Sequence, residues 1–286
     1  MIIAVFLVAS ACTGDAPPDD IADTIRVGVL PDQVPDNLRT RHEPLIAYLG
    51  ETTGFSFELV IPSDYADLLQ QFAVGDVDLA WFGGLTFVRA ELHAGAIPLA
   101  LRDVDIQFTS CYLAGASGQR TSIAAFEGAR FSFGPDLSTS GHLMPRYFMS
   151  QAGLVPEDFF QSIRHAPGHD QTAAWVADGT VDLGVANCVI VQSLFANGQL
   201  DEDEVRIIET TPPYSDYVWA ARESMSAPRR AAILDALLAL DPTVPLHREV
   251  LRLQGANAYL PAGSGDLEFV RAAALQAGLL AGEDSR

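Results

Sequence analysis

The sequence predicts an α/β protein built from two similar lobes that face each other across a ligand cleft. One observation is an internal echo: the segment AVGDVDLA at residues 73–80 returns 104 positions later as ADGTVDLG at residues 177–184. The same offset relates Tyr65 to His169, and each comes just before a helix-like run. A solenoid repeats every ~20–50 residues, so an echo at this distance indicates two lobes instead. Tyr65 and His169 are then pseudo-symmetric residues beside the cleft.

The first half of the chain alternates strand-like apolar runs with helix-like segments. The predicted strands occupy residues 25–30, 57–62, 77–82 and 97–102. The predicted helices between them occupy residues 41–50, 65–74 and 85–94. Alternation of this kind predicts a mostly parallel sheet that is covered by helices on both faces.

The second half repeats this alternation. We predict strands at 129–134, 162–166, 181–187 and 205–210, with helices at 141–152 and 169–178. Two further apolar runs, 109–115 and 216–221, fit as crossing strands that join the lobes in a two-strand hinge. The first lobe is therefore discontinuous and comprises residues 25–107 and 212–286, whereas the second lobe comprises residues 108–211. Helices at 226–240, 245–254 and 266–281 complete the first lobe.

The charge of the chain limits the partners that it can bind. The 286 residues carry a formal net charge of −20, and the sequence contains no lysine, so all 17 basic residues are arginine. Such a field repels DNA, RNA and anionic lipid, which argues against nucleic-acid binding. An acidic, solvated surface is the ordinary interpretation. A site for an anion must therefore use a local cluster of donors.

The N-terminus is typical of a targeting segment. Residues 1–11 are apolar, Cys12 follows, and the run up to residue 24 is polar. An apolar stretch that ends in small residues before a cysteine resembles a bacterial lipoprotein signal, in which the cysteine is lipidated. The segment departs from that pattern because it lacks basic residues and has Ala9 where leucine is usual. It is too short for a membrane span, which needs ~20 residues. We expect residues 1–24 to be a signal and lipid tether at the outer face of the cytoplasmic membrane or in the periplasm.

Two further cysteines, Cys111 and Cys188, lie in the folded part of the chain. Outside the cytoplasm they could form a disulfide, but cysteines also serve as small buried hydrophobic residues in strands. The sequence leaves both interpretations open. It contains no CxxC motif and no zinc-like spacing, so we expect no metal site and no cofactor.

The strongest local signal is the segment FGPDLSTSGH at residues 133–142, which follows a predicted strand and opens a predicted helix. A serine or threonine at a helix start is an N-cap by default. Ser138, Thr139 and Ser140 together exceed what one cap needs, and the free N–H groups of a helix N-terminus attract anions. The glycine spacing and the lysine of a Walker A motif are missing, which excludes nucleoside triphosphate hydrolysis. The segment therefore predicts a site for a phosphate-like anion.

Five motifs in unbroken order extend this prediction: SDYADLL, VDLAWFGG, STSGHLMPRYFMSQAGL, PGHDQTA and VDLGVAN. With them the chain resembles the phosphate-, phosphite- and phosphonate-binding proteins of bacterial ABC importers over residues 25–240. The resemblance implies a type II periplasmic-binding-protein fold whose two lobes close on a tetrahedral oxyanion. It also implies a monomer that delivers its ligand to an ABC permease and catalyses no reaction.

The resemblance assigns ligand-binding roles position by position. The Ser-Thr-Ser run matches the family's oxyanion-binding run, and His169 in PGHD matches its ligand-contacting histidine. Tyr65 in SDY matches a tyrosine from the opposite lobe. Asp216 matches a buried aspartate, although the loop before it is one residue shorter here. Each residue has an ordinary alternative: Tyr65 and His169 could cap or pack at helix starts, and Asp216 could be a turn acid.

The chemistry of this set is coherent without the family. Hydroxyl, imidazole and backbone N–H donors are neutral, so they bind an anion at little desolvation cost and release it again. A carboxylate such as Asp216 repels an anion unless the anion brings a proton to donate. The monoanions of phosphate, phosphite and phosphonates carry such a proton near neutral pH, whereas sulfate does not. We therefore predict that Asp216 is the selectivity filter, because an unpaired buried acceptor disfavours the wrong oxyanion.

Two departures from the family pattern bear on the identity of the ligand. Binders of aminoalkylphosphonates carry an acid near the position of Val189, and a family tyrosine is replaced near Phe108. Both changes make the wall of the cleft more apolar. The sequence thus favours phosphite or methylphosphonate over aminoethylphosphonate. Trp81 either lines the cleft or packs in the core.

Other functions have less support in the sequence. His165 and His169 have the spacing HxxxH, but Pro167 between them prevents a shared zinc-binding helix face. No GxSxG elbow is present, so enzymatic machinery is not recognisable. A sulfonate, nitrate or organic-cation receptor on the same fold is a second alternative, and the Ser-Thr-Ser run with Asp216 argues against it. The sensor part of a signalling system is a third, for which the sequence shows no kinase segment.

Overall fold

The structure is a computed structural model, and it describes residues 24–280. Its strands are β1 (Ile25–Val29), β2 (Phe57–Val60), β3 (Leu79–Phe82), β4 (Ile97–Arg102), β5 (Ser110–Gly115), β6 (Arg130–Phe133), β7 (Ser162–His165), β8 (Leu183–Asn187), β9 (Val205–Thr210), β10 (Val218–Ala221) and β11 (Tyr259–Pro261). Its α-helices are α1 (Pro35–Thr53), α2 (Tyr65–Val74), α3 (Gly84–Ala94), α4 (Met144–Gln151), α5 (Pro156–Phe159), α6 (His169–Ala177), α7 (Cys188–Ala196), α8 (Ala227–Leu238), α9 (Pro245–Gln254) and α10 (Glu268–Gln276). Within this part of the chain, no helix combines the length and the apolar character that a membrane span requires.

Six strands form the first sheet, in the order β11-β4-β10-β3-β1-β2. β1 pairs in parallel with β2 and β3, so that Val27 lies opposite Leu59 on one side and Leu79 on the other. β10 is antiparallel to both of its neighbours, β3 and β4. Every residue of β3 and β10 is buried, as expected for inner strands of a sheet that is covered on both faces.

Five strands form the second sheet, in the order β7-β6-β8-β5-β9. β6 is parallel to β7 and β8, whereas β5 is antiparallel to β8 and β9. The prediction of mostly parallel sheets was therefore wrong in detail, because each sheet is mixed. The α/β class and the two-sheet architecture are confirmed.

The internal echo is a repeat of structure as well as of sequence. The backbone N–H and the Nε of Arg26 donate to the Asp78 carboxylate at 2.9 and 3.2 Å, and the N–H of Asp78 donates to the carbonyl of Arg26. At the same 104-residue offset, Arg130 and Asp182 make these contacts in the second sheet at 2.9 and 3.0 Å. The helices α2 and α6 begin at the two residues that the echo marks as pseudo-symmetric.

The two runs that the sequence predicts as crossing strands are inner strands instead. Residues 110–115 form β5 of the second sheet, and residues 218–221 form β10 of the first sheet. Both runs are buried on both faces, so they gain more by pairing within a sheet than by crossing between sheets. The chain crosses just outside them, where Phe108 and Tyr214 exchange two backbone hydrogen bonds of 2.7 and 3.0 Å. The lobe boundaries at residues 107/108 and 211/212 stay a prediction.

The helices differ from the sequence prediction at several positions, and α5 is not predicted at all. α1 begins at Pro35, since proline suits the first helical turn, where its missing N–H is not needed. A single wide turn, Thr139–Leu143, precedes α4 and replaces the predicted helix start at residue 141. The sequence does not predict α7, because its β-branched residues are typical of strands.

Cys111 and Cys188 form a disulfide, with their Cα atoms 5.0 Å apart. Cys111 lies in β5, whereas Cys188 is the first residue of α7, so only one of them lies in a strand. Of the two interpretations that the sequence leaves open, pairing is the correct one. The bridge fastens α7 to the second sheet within an apolar cluster that both cysteines join.

Candidate functional site

The six predicted ligand-binding residues lie at the ends of elements that converge between the two sheets. They are Tyr65 at the start of α2, Ser138, Thr139 and Ser140 before α4, His169 at the start of α6, and Asp216 before β10. All six are buried. The structure thus brings together residues that are up to 151 positions apart in sequence, and their roles in ligand binding stay predictions.

The three hydroxyl residues before α4 have three different hydrogen-bonding situations. Ser138 is the N-cap, because its Oγ accepts the N–H of Gly141 at 2.9 Å. Thr139 Oγ1 accepts the N–H of Leu85 at 2.9 Å, so it reaches across to α3 of the first sheet. Ser140 Oγ is buried near the hydroxyl of Tyr214 but makes no hydrogen bond of ordinary geometry among the described residues. One of the three is therefore a cap, one joins the two sheets, and one is left for a ligand.

His169 is held in a single neutral form. The backbone N–H of Asn187 donates to Nδ1 at 3.2 Å, so Nδ1 is the acceptor and the ring proton lies on Nε2. Nε2 faces the Oγ of Ser138 at 3.5 Å. Burial, with the charge of Arg41, lowers the pKa of His169 to about 3. At physiological pH the imidazole is therefore an uncharged N–H donor that points at the Ser-Thr-Ser turn.

Asp216 binds the start of α3 through one carboxylate oxygen. Its Oδ1 accepts the N–H of Gly84 at 2.7 Å and the N–H of Tyr217 at 2.9 Å. Burial raises the pKa of Asp216 to about 6, and the two backbone donors oppose this shift.

Three of the six residues carry buried polar atoms without a partner: Tyr65 Oη, Ser140 Oγ and Asp216 Oδ2. Burial raises the pKa of Tyr65 well above 10, and the nearby charge of Asp32 adds to the effect, so the phenol keeps its proton. The first two atoms are therefore hydroxyl donors, and the third is a carboxylate acceptor. Buried polar atoms in folded proteins nearly always have partners. The set consequently fits a ligand that both accepts and donates hydrogen bonds.

Sequence reasoning missed three residues that support the site: Asp32, Asn187 and Tyr217. Tyr217 Oη donates to Asp32 Oδ2 at 2.8 Å and accepts from Asn187 Nδ2 at 3.0 Å. One signal could have drawn attention to Tyr217, since the tripeptide Ser-Asp-Tyr at residues 63–65 recurs at residues 215–217. Asn187 is the last residue of the motif VDLGVAN at residues 181–187, whereas Asp32 carries no comparable signal.

The residues used to predict the ligand occupy different environments. Phe108 is buried, with its ring 5.5 Å from that of Tyr217. Val189 lies in a groove between α1, α7 and α9, next to Gly255. Trp81 is fully buried, and its indole stacks on the ring of Tyr217 with centroids 5.3 Å apart. Trp81 therefore packs in the core behind the site.

A second polar cluster lies beside the same turn. Single ligand atoms of Asp136, His142 and His165 lie within 4.8 Å of one another, a spacing that a metal ion could use. Both ring nitrogens of His142 are already engaged: Nδ1 donates to the carbonyl of Asp136 at 2.7 Å, and Arg146 Nε donates to Nε2 at 3.0 Å. The guanidinium disfavours a cation there, so the cluster is better explained as support for the turn. His165 belongs to β7 and not to α6, in agreement with the separation of the two histidines around Pro167.

The chain matches a known family over most of its length. The family described as the periplasmic phosphonate substrate-binding protein of ABC transporters matches residues 27–266. The probable ABC transporter phosphite binding protein PhnD1 of Prochlorococcus marinus is 30% identical over 256 residues, which cover 84% of this chain and 85% of that protein. The phosphate-import protein PhnD of Mycolicibacterium smegmatis is 28% identical over 263 residues, which cover 86% of this chain and 82% of that protein.

A solved structure agrees with these sequence matches. The PhnD1 structure from Prochlorococcus marinus in complex with methylphosphonate superposes with a TM-score of 0.85 at 27% identity. The match covers 90% of this chain and 98% of that one. Both lobes, and not a single sheet, must therefore be shared. The chain belongs to the family of periplasmic phosphonate substrate-binding proteins of ABC transporters and has the type II fold of that family.

Proposed function

We propose that this chain captures a small phosphorus oxyanion that carries one acidic proton, phosphite or methylphosphonate, and delivers it to an ABC permease. The observation that carries the proposal is the set of buried atoms without partners: the hydroxyls of Tyr65 and Ser140, and Oδ2 of Asp216. The P–O oxygens of the ligand can accept the hydroxyl protons, while its P–OH group donates to the carboxylate. Relatives named for phosphite binding and phosphate import, and one solved with methylphosphonate, support the same ligand class.

A shared proton would give the site its selectivity. With its pKa raised to about 6 by burial, Asp216 is mostly ionised at neutral pH and needs a donor. A monoanionic phosphonate supplies one. Sulfate supplies none, so it would leave a carboxylate oxygen unpaired and add repulsion between two negative charges. His169 and the hydroxyl donors bind either anion, and discrimination therefore falls to Asp216.

Two apolar positions support a small, uncharged substituent on phosphorus. Phe108 has no hydroxyl to accept a hydrogen bond from the ammonium group of an aminoalkylphosphonate, and Val189 has no carboxylate to act as its counter-ion. A P–H or P–CH3 group has no such requirement. This argument favours phosphite and methylphosphonate over aminoethylphosphonate.

We also propose the remaining features of a binding protein of this kind. Lobe 1 comprises residues 25–107 and 212–286, lobe 2 comprises residues 108–211, and the protein works as a monomer without catalysing a reaction. Cys12, which lies outside the described residues, is lipidated and anchors the periplasmic protein to the membrane. Mass spectrometry of the membrane fraction tests the anchor, because lipidation would add diacylglyceryl mass to a chain that begins at Cys12.

Isothermal titration of the purified chain tests the ligand class. The panel is phosphite, methylphosphonate, aminoethylphosphonate, phosphate and sulfate at pH 7. We expect tight binding of phosphite or methylphosphonate and no heat from sulfate. Tightest binding of aminoethylphosphonate would contradict the argument from Phe108 and Val189. The absence of binding heat for every phosphorus oxyanion, or tight binding of sulfate, would contradict the proposed function.

A further inference from the structure

A closed circuit of hydrogen bonds runs behind the proposed ligand site. Tyr217 Oη donates to Asp32 Oδ2 at 2.8 Å, and Asn187 Nδ2 donates to Tyr217 Oη at 3.0 Å. The backbone N–H of Asn187 donates to His169 Nδ1 at 3.2 Å, and the backbone N–H of His169 donates to the carbonyl of Asp32 at 2.9 Å. All four residues are at most 1% exposed. The circuit starts and ends at Asp32.

The circuit joins the two sheets. Asp32 follows β1 and Tyr217 precedes β10, and both strands belong to the first sheet. Asn187 ends β8, a strand of the second sheet, and His169 begins α6, which packs against that strand. The carbonyl of Asp32 therefore supplies a partner from the first sheet to the first N–H of a helix on the second sheet. This bond and the bond between Asn187 Nδ2 and Tyr217 Oη both connect residues of the second sheet to residues of the first.

Every donor in the circuit has one possible direction. The Asn187 amide is oriented by its Oδ1, which accepts the N–H of Ile190 at 3.1 Å, so its Nδ2 faces Tyr217 as a donor. The Tyr217 hydroxyl then has only its own proton to give, and it gives that proton to Asp32. Asp32 is thus the terminal acceptor of the chain of donors, and Arg41 Nη1, 3.7 Å from Oδ2, supports its charge.

Tyr217 connects the circuit to the predicted ligand-binding residues. Its φ of +44° lies in the left-handed region, and it is the one non-glycine residue there among residues 24–280. Such a backbone is strained and persists only when its surroundings hold it. The N–H of this strained residue donates to Asp216 Oδ1, so the position of Tyr217 sets the position of Asp216. His169, the other end of the circuit, faces Ser138.

We propose that Asp32 is a positioning residue for oxyanion binding. It acts through Tyr217 and Asn187 to orient Asp216 and His169, and its carbonyl clamps α6 to the first sheet when the cleft is closed. The effect on ligand affinity rests on the function proposed above, whereas the clamp itself does not. Loss of the Asp32 carboxylate should therefore act in two ways. It should speed release of the ligand, and it should loosen the segment whose carbonyl binds His169, which weakens the contact between α6 and the first sheet in the ligand-free protein.

Dissociation kinetics test the first effect, with methylphosphonate as the probe. In Asp32→Ala the dissociation rate constant should rise about 10- to 100-fold, the range expected for a buried hydrogen bond to a charged group, with little change in the association rate constant. Asp32→Asn keeps an oxygen acceptor for Tyr217 and should recover part of the loss. Asp36→Ala, an exposed acid on the same segment, is the matched control and should leave the rate constant unchanged.

A double-mutant cycle separates positioning from general destabilisation. Because Asp32 acts through Tyr217, the double variant Asp32→Ala with Tyr217→Phe should release methylphosphonate no faster than the faster-releasing of the two single variants, so the two effects should not multiply. Two effects that multiply would overturn the circuit. An Asp32→Ala protein that is folded by circular dichroism and releases methylphosphonate at the wild-type rate would overturn it as well.

Amide hydrogen exchange tests the clamp without any ligand. Asp32→Ala keeps the carbonyl that binds the His169 N–H but removes the carboxylate that fixes this segment through Tyr217. In the full chain, the His169 amide should therefore exchange at least tenfold faster in Asp32→Ala than in wild type or Asp36→Ala, and Tyr217→Phe should show a smaller increase. If wild-type protein fails to bind methylphosphonate, the proposed function is wrong, but this comparison still decides the clamp. Equal His169 exchange in folded wild type and Asp32→Ala would overturn the proposal that the Asp32 carboxylate holds the clamp. Should Asp32→Ala not fold, Asp32→Asn and Tyr217→Phe provide the same comparison.

Discussion

Asp216 binds Gly84 through only one of its two carboxylate oxygens. The N–H of Gly84 donates to Oδ1 at 2.7 Å, while Oδ2 is buried without a partner. Gly84 is the first residue of α3, so the positive end of the helix faces the carboxylate. Burial nevertheless dominates and raises the pKa of Asp216 to about 6. The residue is therefore fixed by one oxygen and available for a proton through the other.

Asp216→Asn should narrow the difference in affinity between methylphosphonate and sulfate. The N–H groups of Gly84 and Tyr217 require an acceptor, so the amide oxygen takes the place of Oδ1 and the NH2 group faces the ligand. A donor there no longer accepts the P–OH proton, which should weaken methylphosphonate binding by about 1–3 kcal/mol. Sulfate loses its repulsion and should bind better. Titration calorimetry at pH 7 measures both affinities, and Asp36→Asn is the control. An unchanged ratio of the methylphosphonate and sulfate affinities would show that Asp216 does not select between the two anions.

The same substitution should stabilise the ligand-free protein at neutral pH. Because burial raises the pKa of Asp216 from 3.8 to about 6, the folded state binds more protons than the unfolded state between these values. Stability from this group therefore falls as the pH rises from about 4 to 6, and the full cost of about 3 kcal/mol is present above pH 6. Asp216→Asn removes that cost.

Urea unfolding of the ligand-free variant at two pH values checks this stability change. We expect the free energy of unfolding of Asp216→Asn to exceed that of wild type by about 2–3 kcal/mol at pH 7, and the difference to shrink toward pH 4. A variant that is less stable than wild type at pH 7 would show that the ionised carboxylate stabilises the start of α3. A variant that is more stable but binds methylphosphonate more weakly would show that the ionised Asp216 lowers the stability of the protein and supplies its selectivity.

Ser140→Ala and Ser138→Ala should separate ligand binding from helix capping. Ser140 Oγ makes no hydrogen bond within residues 24–280, so its removal should leave the melting temperature of the ligand-free protein unchanged and weaken the binding of phosphite and of methylphosphonate together. Ser138 Oγ caps the turn by accepting the Gly141 N–H, so Ser138→Ala should lower stability by about 1 kcal/mol in addition. Thermal melts with and without methylphosphonate measure both effects. If Ser140→Ala lowered the melting temperature of the ligand-free protein as much as Ser138→Ala does, Ser140 would have a structural role.

Much of the two-sheet α/β fold could be predicted from the sequence because it depends on local sequence patterns. The echo at residues 73–80 and 177–184 predicts two equivalent halves, and the repeated Arg–Asp contacts at Arg26 and Arg130 confirm it. The family resemblance that the five motifs carry implies which residues converge between the sheets. These features are encoded in short segments whose hydrophobic period and turn chemistry do not depend on distant partners.

What the sequence could not predict depends on long-range contacts. β5 pairs with β9 across almost a hundred positions, and no local pattern distinguishes such a strand from a crossing segment. α7 is helical despite its β-branched residues because tertiary packing and the disulfide at Cys188 override propensity. The bond between Tyr217 and Asp32 spans 185 positions, so the circuit behind the site is visible only in three dimensions.

Removal of the disulfide should weaken both the fold and the site. The bridge between Cys111 and Cys188 closes a loop of 77 positions, and replacing both cysteines by serine should cost about 2–4 kcal/mol of stability. Because Asn187 precedes Cys188 and its N–H binds His169 Nδ1, a looser start of α7 should also weaken methylphosphonate binding. Thermal melting with and without a reducing agent measures the first effect, and titration calorimetry measures the second. Reducing agent should lower the melting temperature of wild type. It should not change that of the double variant, which has no bridge and therefore controls for other effects of the reducing agent. If the double variant melts at the same temperature as oxidised wild type and binds methylphosphonate as tightly, packing alone holds α7 on the sheet.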